Sequence, residues 1–372
     1  MKKIGITGQE GFVGSHLYNA LSLYKSEFEL VPYKRSYFER DEDLDAFVGK
    51  CDVIVHLAAM NRHTDPQVIY DINIKLVKKL IQSLERTHSK AHILFSSSSQ
   101  EHLDNLYGKS KKEGRELLSN WAKQAGGVFT GLVIPNVFGP FGQPNYNSFI
   151  ATFCHKLTHG ETPEVHQDSE VNLIYVGELV DEIIRQIRKG EGENLYAIPF
   201  TSTYKVTTVL SKLKHYKATY FDKGEIPQLG TTFDLQLFNT YRSYIDYSQH
   251  FPIKFTKHSD ERGAFVEIIR LGIGGQCSFS TTVPTVTRGN HFHTRKIERF
   301  AVIKGKARIQ LRKVNTDEVL DFYLDGNEPS YVDMPIWYTH NIKNIGEDEL
   351  VNIFWINEPY NPEDADTYFL EV

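Results

Sequence analysis

Cysteine is scarce: Cys51, Cys154 and Cys277 are the whole complement of a 372-residue chain. None stands in a C-x-x-C pair, so neither a disulfide framework nor a thiolate zinc site is expected, and a reducing, cytoplasmic compartment fits best. Long apolar runs are lacking as well. The one long uncharged stretch, Gly126 to Cys154, is interrupted by Pro135, Pro140 and Pro144 and by three asparagines, unlike the roughly 20 apolar residues of a membrane span. The opening M-K-K-I-G-I-T-G reaches glycine before the apolar segment of a secretory signal can form, and export is not expected. An excess of one charge is missing too. Forty-two basic against 47 acidic residues leave a net charge of −5, which offers no footprint for nucleic acid or an anionic membrane. Repeats and low-complexity segments are absent. What is there, 40% hydrophobic and 12% aromatic residues, suffices to bury a full core, and the length suits two domains of roughly 150 residues or more.

Up to about residue 245, short apolar runs alternate with amphipathic stretches, the pattern of a parallel sheet with crossover helices. Lys3–Thr7, Asp52–Ala58, Ala91–Ser96 and Val128–Ile134 read as buried strands. Val68–Arg86 and Lys111–Gln124 read as helices with one apolar face. Beyond Phe251-Pro252 the texture changes to alternating runs such as F-A-V-I-K-G-K-A-R-I-Q-L, the signature of a small all-β barrel or sandwich. The expectation is an α/β protein: a Rossmann-type doubly wound domain over residues 1–248 and an all-β domain over 249–372. The stretch from Pro199 to Tyr247 carries no chemical motif and is assigned a scaffolding or capping role.

Chemistry concentrates at a few places. K-I-G-I-T-G-Q-E-G-F-V-G puts Gly8, Gly11 and Gly14, with Phe12 and Val13, between a strand and a helix, where close backbone approach and free N–H groups suit a pyrophosphate. The spacing departs from G-x-G-x-x-G. About 20 residues on, where an NAD site would place an acidic residue, stand Lys34 and Arg35. They suit the 2′-phosphate of NADP, or are two solvated loop cations. A serine run at a strand end precedes Tyr107 and Lys111. An ammonium one helical turn from a phenol favours the phenolate and lowers its pKa; alone, Tyr-x-x-x-Lys is as common on a solvated helix face. Farther on, His291 and His293 share one side of a strand, Glu298 follows at close range, and His340 supplies a fourth donor, a set suited to Zn, Fe(II), Mn or Ni. Ordinary strand histidines are the alternative.

Together, T-G-x-x-G-F-x-G, the strand end H-L-A-A (Leu57, Ala58, Ala59), Asn73, the serines and Y-x-x-x-K resemble the extended short-chain dehydrogenase/reductases, which act mainly on nucleotide sugars. The resemblance implies Tyr107 as proton donor, Lys111 as its activator and ribose contact, and Ser98 as the substrate's hydrogen-bond partner, with Ser97 and Ser99 as alternatives. It places Asn136, Asn145 and Asn147 at the substrate. The second half resembles the cupins. H-x-H-x(3,4)-E-x(6)-G is matched from His291 to Gly305, while the second motif keeps Pro335, His340 and Asn344 but has Trp337 for glycine, a bulky residue expected beside the ion. The segment from Asp260 to Glu267 is similar to the D-x-R-G-x-F-x-E of nucleotide 4-keto-sugar epimerases, which implies that Arg262 and Glu267 serve the nucleotide. In that family the histidine of R-G-x-H is the base, so His291 is read as ligand or base. Tyr338 is a second candidate base, and Lys296 a weaker one because exposed charge is its simpler role.

Across nearly the whole chain the arrangement resembles the CapF-like bifunctional enzymes of capsular and O-antigen polysaccharide synthesis. That resemblance implies a UDP-linked 4-keto-6-deoxy-N-acetylamino sugar, epimerised at carbon 3 in the cupin and reduced at carbon 4 with NADPH. It also implies one divalent metal ion, zinc being expected, and a homodimer, without nucleic-acid or membrane partners. The alternatives are a reductase with a structural, dimerising cupin, and a non-enzymatic sensor of NADP and nucleotide sugar.

Overall fold

The computed structural model describes residues 1–260, 263–266, 268–269, 271–272, 274–358 and 361–372. The chain separates into two units, one of residues 1–152 with 165–209, the other of residues 153–164 with 210–372.

In the first unit, β1 (Lys2–Thr7), α1 (Phe12–Ser22), β2 (Phe28–Val31), α2 (Asp41–Val48), β3 (Val53–His56), α3 (Pro66–Arg86), β4 (His92–Ser98), α4 (Leu106–Ala125) and β5 (Phe129–Ile134) alternate. There follow β6 (Asn136–Phe138), α5 (Phe149–Thr158), β7 (Glu170–Tyr175), α6 (Val176–Lys189), β8 (Glu193–Ala197), β9 (Ser202–Lys205) and α7 (Val206–Tyr216), of which α5 from residue 153 and α7 from residue 210 count with the second unit. The main sheet runs β2-β1-β3-β4-β5-β8 and is parallel throughout. Its inner strands are apolar on both faces because helices cover both. On one face Leu44, Phe47, Val77, Leu80, Leu118 and Trp121 from α2, α3 and α4 pack with Ile54, Ile93 and Phe95. On the other, Leu17 and Leu21 of α1 and Leu179, Ile183 and Ile187 of α6 pack with Ile4, Ile6 and Val55. Two of these helices are opened by side chains. Asp65 accepts from the Gln67 N–H, with Pro66 at the first position of α3, and Asn105 accepts from the Gly108 N–H at the start of α4, which satisfies donors that helix starts leave over. β2 and β3 leave β1 on opposite sides, so the winding reverses at β1. The crevice at the carboxyl ends of β1 and β3 is where such sheets bind ligands.

The second unit continues with α8 (Thr232–Arg242) and α9 (Tyr247–His250), then β10 (Ile253–Lys254), β11 (Lys257–Asp260), β12 (Gly263–Val266), β13 (Gln276–Thr282), β14 (Thr287–Phe292) and β15 (Glu298–Lys304). It closes with β16 (Lys306–Lys313), β17 (Val319–Asp325), β18 (Ser330–Met334), β19 (Tyr338–Asn344), β20 (Leu350–Ile356) and β21 (Tyr368–Phe369). Two five-stranded antiparallel sheets, β10-β18-β15-β20-β13 and β17-β16-β19-β14-β21, form its β part. Alternation along β16 puts Ala307, Ile309 and Leu311 inward, as half-buried strands require. Residues 210–248 cluster with this unit. Tyr220 donates to Asp333 at 2.6 Å, Arg242 donates to the Met334 carbonyl at 3.0 Å, and Arg299 forms a buried two-point pair with Asp333.

The predicted strands are all present, with ends displaced. The run expected from Asp52 to Ala58 stops at His56, because Leu57 and Ala58 donate their N–H groups back to the Thr7 carbonyl and hydroxyl.

Candidate functional site

The glycine turn follows directly from β1. Gly8 has φ +75°, and a Cβ there would lie 2.9 Å from the Ala58 nitrogen; a Cβ on Gly14 would lie 2.1 Å from the Gly8 carbonyl oxygen. Only glycine lets α1 begin against this turn. The N–H of Gly11 donates to Gly8, and no side chain caps α1, so the helix start, with Phe12 and Val13, keeps backbone donors for an anion. Leu57, Ala58 and Ala59 leave β3 beside this turn. Gln9 donates from its side chain to the Tyr33 carbonyl at 3.2 Å, which ties the turn to the segment bearing Lys34 and Arg35, both exposed. Met60 donates to Asn73, which donates back to Met60 and on to Ser110, fixing the same loop to α4. These residues fit a dinucleotide whose pyrophosphate lies over the glycines.

The serine run ends β4 and divides its labour. Ser96 accepts the Lys111 ammonium on its carbonyl at 2.8 Å and its hydroxyl at 3.5 Å. Ser97 donates to the Glu101 carboxylate. Ser98 accepts from the Gln100 N–H at 3.1 Å, and its hydroxyl is near enough to Tyr107 to lower the phenol's pKa. Asn105 starts α4 one residue before Leu106, which puts Tyr107 and Lys111 one turn apart on the face turned to β4, the ammonium 5.8 Å from the tyrosine ring centre.

The expected net fall of the Tyr107 pKa is corrected here: its direction is upward. Burial pushes the phenol up to about 12, and the Ser98 hydroxyl is the group that draws it back. The Lys111 ammonium is seated on the Ser96 carbonyl and hydroxyl and keeps its charge. Burial lowers its own pKa to about 8, with Glu101 opposing the fall.

Asn145, with φ +55°, and Asn147 are exposed on the loop that carries Tyr146. The Tyr146 hydroxyl accepts from the Asn61 N–H at 3.3 Å, and Arg62 holds the Asn145 and Tyr146 carbonyls. Tyr146 is also close enough to raise the Tyr107 pKa. Asn136 opens β6, where it donates to the Asn172 carbonyl at 3.4 Å.

In the second unit, β14 and β19 run side by side with His291 opposite His340, and Glu298 opens β15 in the other sheet. A register shift between Gly289 and His291 turns the histidines, a use bulges commonly have. Donor atoms of His291, His293, Glu298 and His340 all lie within 4.8 Å of one another. His291 is half-buried and the other three are buried. Burial, the neighbouring His340 and the other charges leave His291 with its pKa lowered to about 4.

The Nδ1 of His293 meets the Asp366 carbonyl and that of His340 the Tyr338 carbonyl at 3.3 Å. A carbonyl only accepts, so each imidazole carries its proton there and its Nε2 lone pair points inward. Both Nε2 atoms stand 3.1 Å from the Glu298 Oε2, and none of the three has a hydrogen-bond partner. Converging acceptors without a proton between them call for a cation, and the donor set fits a divalent metal.

Two expectations about this half are overturned. Lys296 is 1% exposed and donates to the Ala365 carbonyl at 2.7 Å, so its ammonium is a buried tether and no surface charge. Trp337 takes the motif glycine's left-handed conformation, φ +61°, and stacks on Phe292; Phe292 lies between His291 and His293 in sequence, which puts the indole on the other face of the strand from the imidazoles. Arg262 and Glu267 lie outside the described residues. Sequence reasoning missed Glu101, Arg115 and Asp366. The Asp366 side chain accepts from the Thr294, Arg295 and Lys296 N–H groups while its carbonyl orients His293.

Residues 4–198 match the NAD dependent epimerase/dehydratase family, and residues 258–368 match the polysaccharide biosynthesis C-terminal domain. The chain is 32% identical over all 372 residues to the UDP-2-acetamido-2,6-beta-L-arabino-hexul-4-ose reductase of Pseudomonas aeruginosa strain PA103, covering 99% of that protein. It is similar, at 35% identity, 100% coverage of both chains and a TM-score of 0.61, to the crystal structure of the capsular polysaccharide assembling protein CapF from Staphylococcus aureus. Over 123 residues, 30% of this chain and 82% of the relative, it is 29% identical to the spore coat polysaccharide biosynthesis protein SpsL of Bacillus subtilis strain 168. Among the described residues, no helix is long and apolar enough to cross a membrane.

Proposed function

The chain belongs to the NAD dependent epimerase/dehydratase family and, by its end-to-end likeness, to the CapF-type enzymes of polysaccharide synthesis, and from that premise we propose that it has two activities on one UDP-linked sugar. The substrate is a UDP-4-keto-6-deoxy-N-acetylamino sugar. The cupin, within residues 249–372, epimerises carbon 3, and residues 1–248 reduce the carbon-4 ketone with NADPH, giving UDP-2-acetamido-2,6-dideoxy-L-talose. The observation that carries the reading is Tyr107 held against Ser98, one turn from Lys111 and beside the glycine turn at the sheet's switch point.

When bound, NADPH supplies the hydride and a divalent ion, zinc in this reading, supplies a positive charge near the ketone. Gly8, Gly11 and Gly14 would hold the pyrophosphate, Lys34 and Arg35 the 2′-phosphate, and His293, Glu298 and His340 the ion, with His291 as the fourth ligand where Tyr338 is the base. In the first unit Ser98 holds the ketone oxygen, and Tyr107, protonated at neutral pH, gives its proton there as negative charge develops. The Lys111 ammonium beneath the ring favours the phenolate left behind. Asn136, Asn145 and Asn147 line the approach for the sugar. In the second unit the ketone acidifies the carbon-3 hydrogen. His291 or Tyr338 takes that proton, and a different proton delivered to the opposite face inverts the centre, with Arg262 and Glu267 at the nucleotide end.

The test is proton NMR of the purified protein with this sugar nucleotide in deuterated water, first without and then with NADPH. Deuterium at carbon 3 before NADPH, followed by reduction, is the expected result. Between His291→Asn and Tyr338→Phe, the variant that stops exchange while retaining metal identifies the base. The burial of three of the four metal donors favours a second reading, a structural metal centre; reduction without carbon-3 exchange would establish it.

A further inference from the structure

Glu101 stands outside the roles assigned above, and its contacts converge on them. It lies in a single turn of 3-10 helix, Ser99–His102, whose first N–H groups are capped by Ser98. Its carboxylate takes a two-point pair from Arg115, at 2.9 Å from Nε and 2.8 Å from Nη2, in addition to the Ser97 hydroxyl. Arg115 is 7% exposed and sits on α4 one turn beyond Lys111, so Tyr107, Lys111 and Arg115 form one stripe of the helix. One residue earlier in the same turn, the Gln100 carbonyl oxygen lies where a Cβ on Gly108 would come within 2.1 Å of it. The turn is therefore pressed on α4 beside Tyr107 and tied to it at Arg115. Ser98, caught between them, accepts from Gln100, and its own proton is left for Tyr107 or a substrate oxygen.

We propose that Glu101, clamped by Arg115 and Ser97, is a positioning residue of the reductase site: it fixes the turn that aims the Ser98 hydroxyl at the oxygen receiving the Tyr107 proton. The proposal rests on the reading of Ser98 and Tyr107 given above. It assigns the second serine of the run to the clamp and the third to the substrate. A buried bidentate arginine–carboxylate pair has the rigidity for such a task, since both charges lose their partners if the turn moves.

A double-mutant cycle tests it, with the full chain, NADPH and the UDP-4-keto sugar, following NADPH oxidation. Glu101→Gln keeps an acceptor for Ser97 but removes the charge that holds Arg115. It should lower kcat about tenfold with KM for both substrates within about twofold, and that loss should shrink below about twofold when Ser98 is already alanine. Ser97→Ala, which keeps the ion pair, should lose about threefold in kcat and show the same dependence on Ser98. Losses that multiply with Ser98→Ala, or that appear in KM alone, would overturn the positioning role. Should Ser98→Ala and Tyr107→Phe themselves leave kcat unchanged, the catalytic reading fails instead, and the two failures are told apart within one set of assays.

Discussion

Lys111 shows how one residue's environment fixes both what it can do and where it stops doing it. Its ammonium lies 2.8 Å from the Ser96 carbonyl and 5.2 Å from the centre of the Phe95 ring, and burial lowers its pKa to about 8. Tyr107 stays protonated far above that pH. The alkaline limb of kcat should therefore belong to Lys111, falling about tenfold per pH unit above about 8 as the charge beneath the phenol is lost. Stability should respond in the opposite sense. A lysine whose folded pKa is depressed binds fewer protons folded than unfolded, so its penalty is in force below about 8 and is relieved as pH rises towards the ordinary lysine value of about 10.4. A pH–rate profile beside melting curves checks both signs. A kcat flat to pH 10 would remove Lys111 from the reaction.

Among the elements, the strand runs and long helices were legible because each is a local pattern: two-faced burial gives β1, β3, β4 and β5 their unbroken apolar runs, and α3 and α4 each show one apolar face, although Asp65 and Asn105 start them earlier than the expected Val68 and Lys111. The glycine turn between β1 and α1 and the convergence of His291, His293, Glu298 and His340 were legible for the same reason, since glycine spacing and strand alternation are local. Lys296 was not. Within T-R-K-I-E-R a lysine reads as surface, and only the return of the chain 69 residues later, bringing the Ala365 carbonyl, makes it a buried tether. Glu101 and Arg115 look like two helix-surface charges until the fold pairs them directly and adds the Ser97 hydroxyl to the carboxylate. Asp366 is the clearest case, a tail residue that closes around residues 294–296 and orients His293. Asp366→Asn, which weakens those acceptors, should lower metal affinity about 10- to 100-fold, the usual range for groups that orient a ligand. Metal content after dialysis against a chelator measures it; full retention would mean that the strands alone fix His293.

At the scale of the whole molecule, the proposed function puts two chemistries with different requirements on one chain. Each would draw its groups from its own unit: the glycine turn, Ser98, Tyr107 and Lys111 from the first, and His291, His293, Glu298 and His340 from the second. The activities should therefore separate by mutation. Tyr107→Phe should lose NADPH oxidation by about 10²- to 10⁴-fold while carbon-3 deuterium exchange continues, and His293→Ala should lose metal and exchange while the protein still binds NADPH. NMR exchange and nucleotide fluorescence on the two variants check this. Simultaneous loss of both activities in either variant would refute the division.

The serine run at the end of β4 has an evolutionary consequence. Four identical letters hide three distinct jobs, since Ser96 seats an ammonium, Ser97 a carboxylate and Ser98 a phenol. Such a stretch is forgiving of spelling and intolerant of counting: replacing one serine removes one contact, whereas deleting any one of the four yields the same shortened chain, in which every later residue inherits its neighbour's post. Insertions and deletions, and not substitutions, are the changes this strand end should exclude.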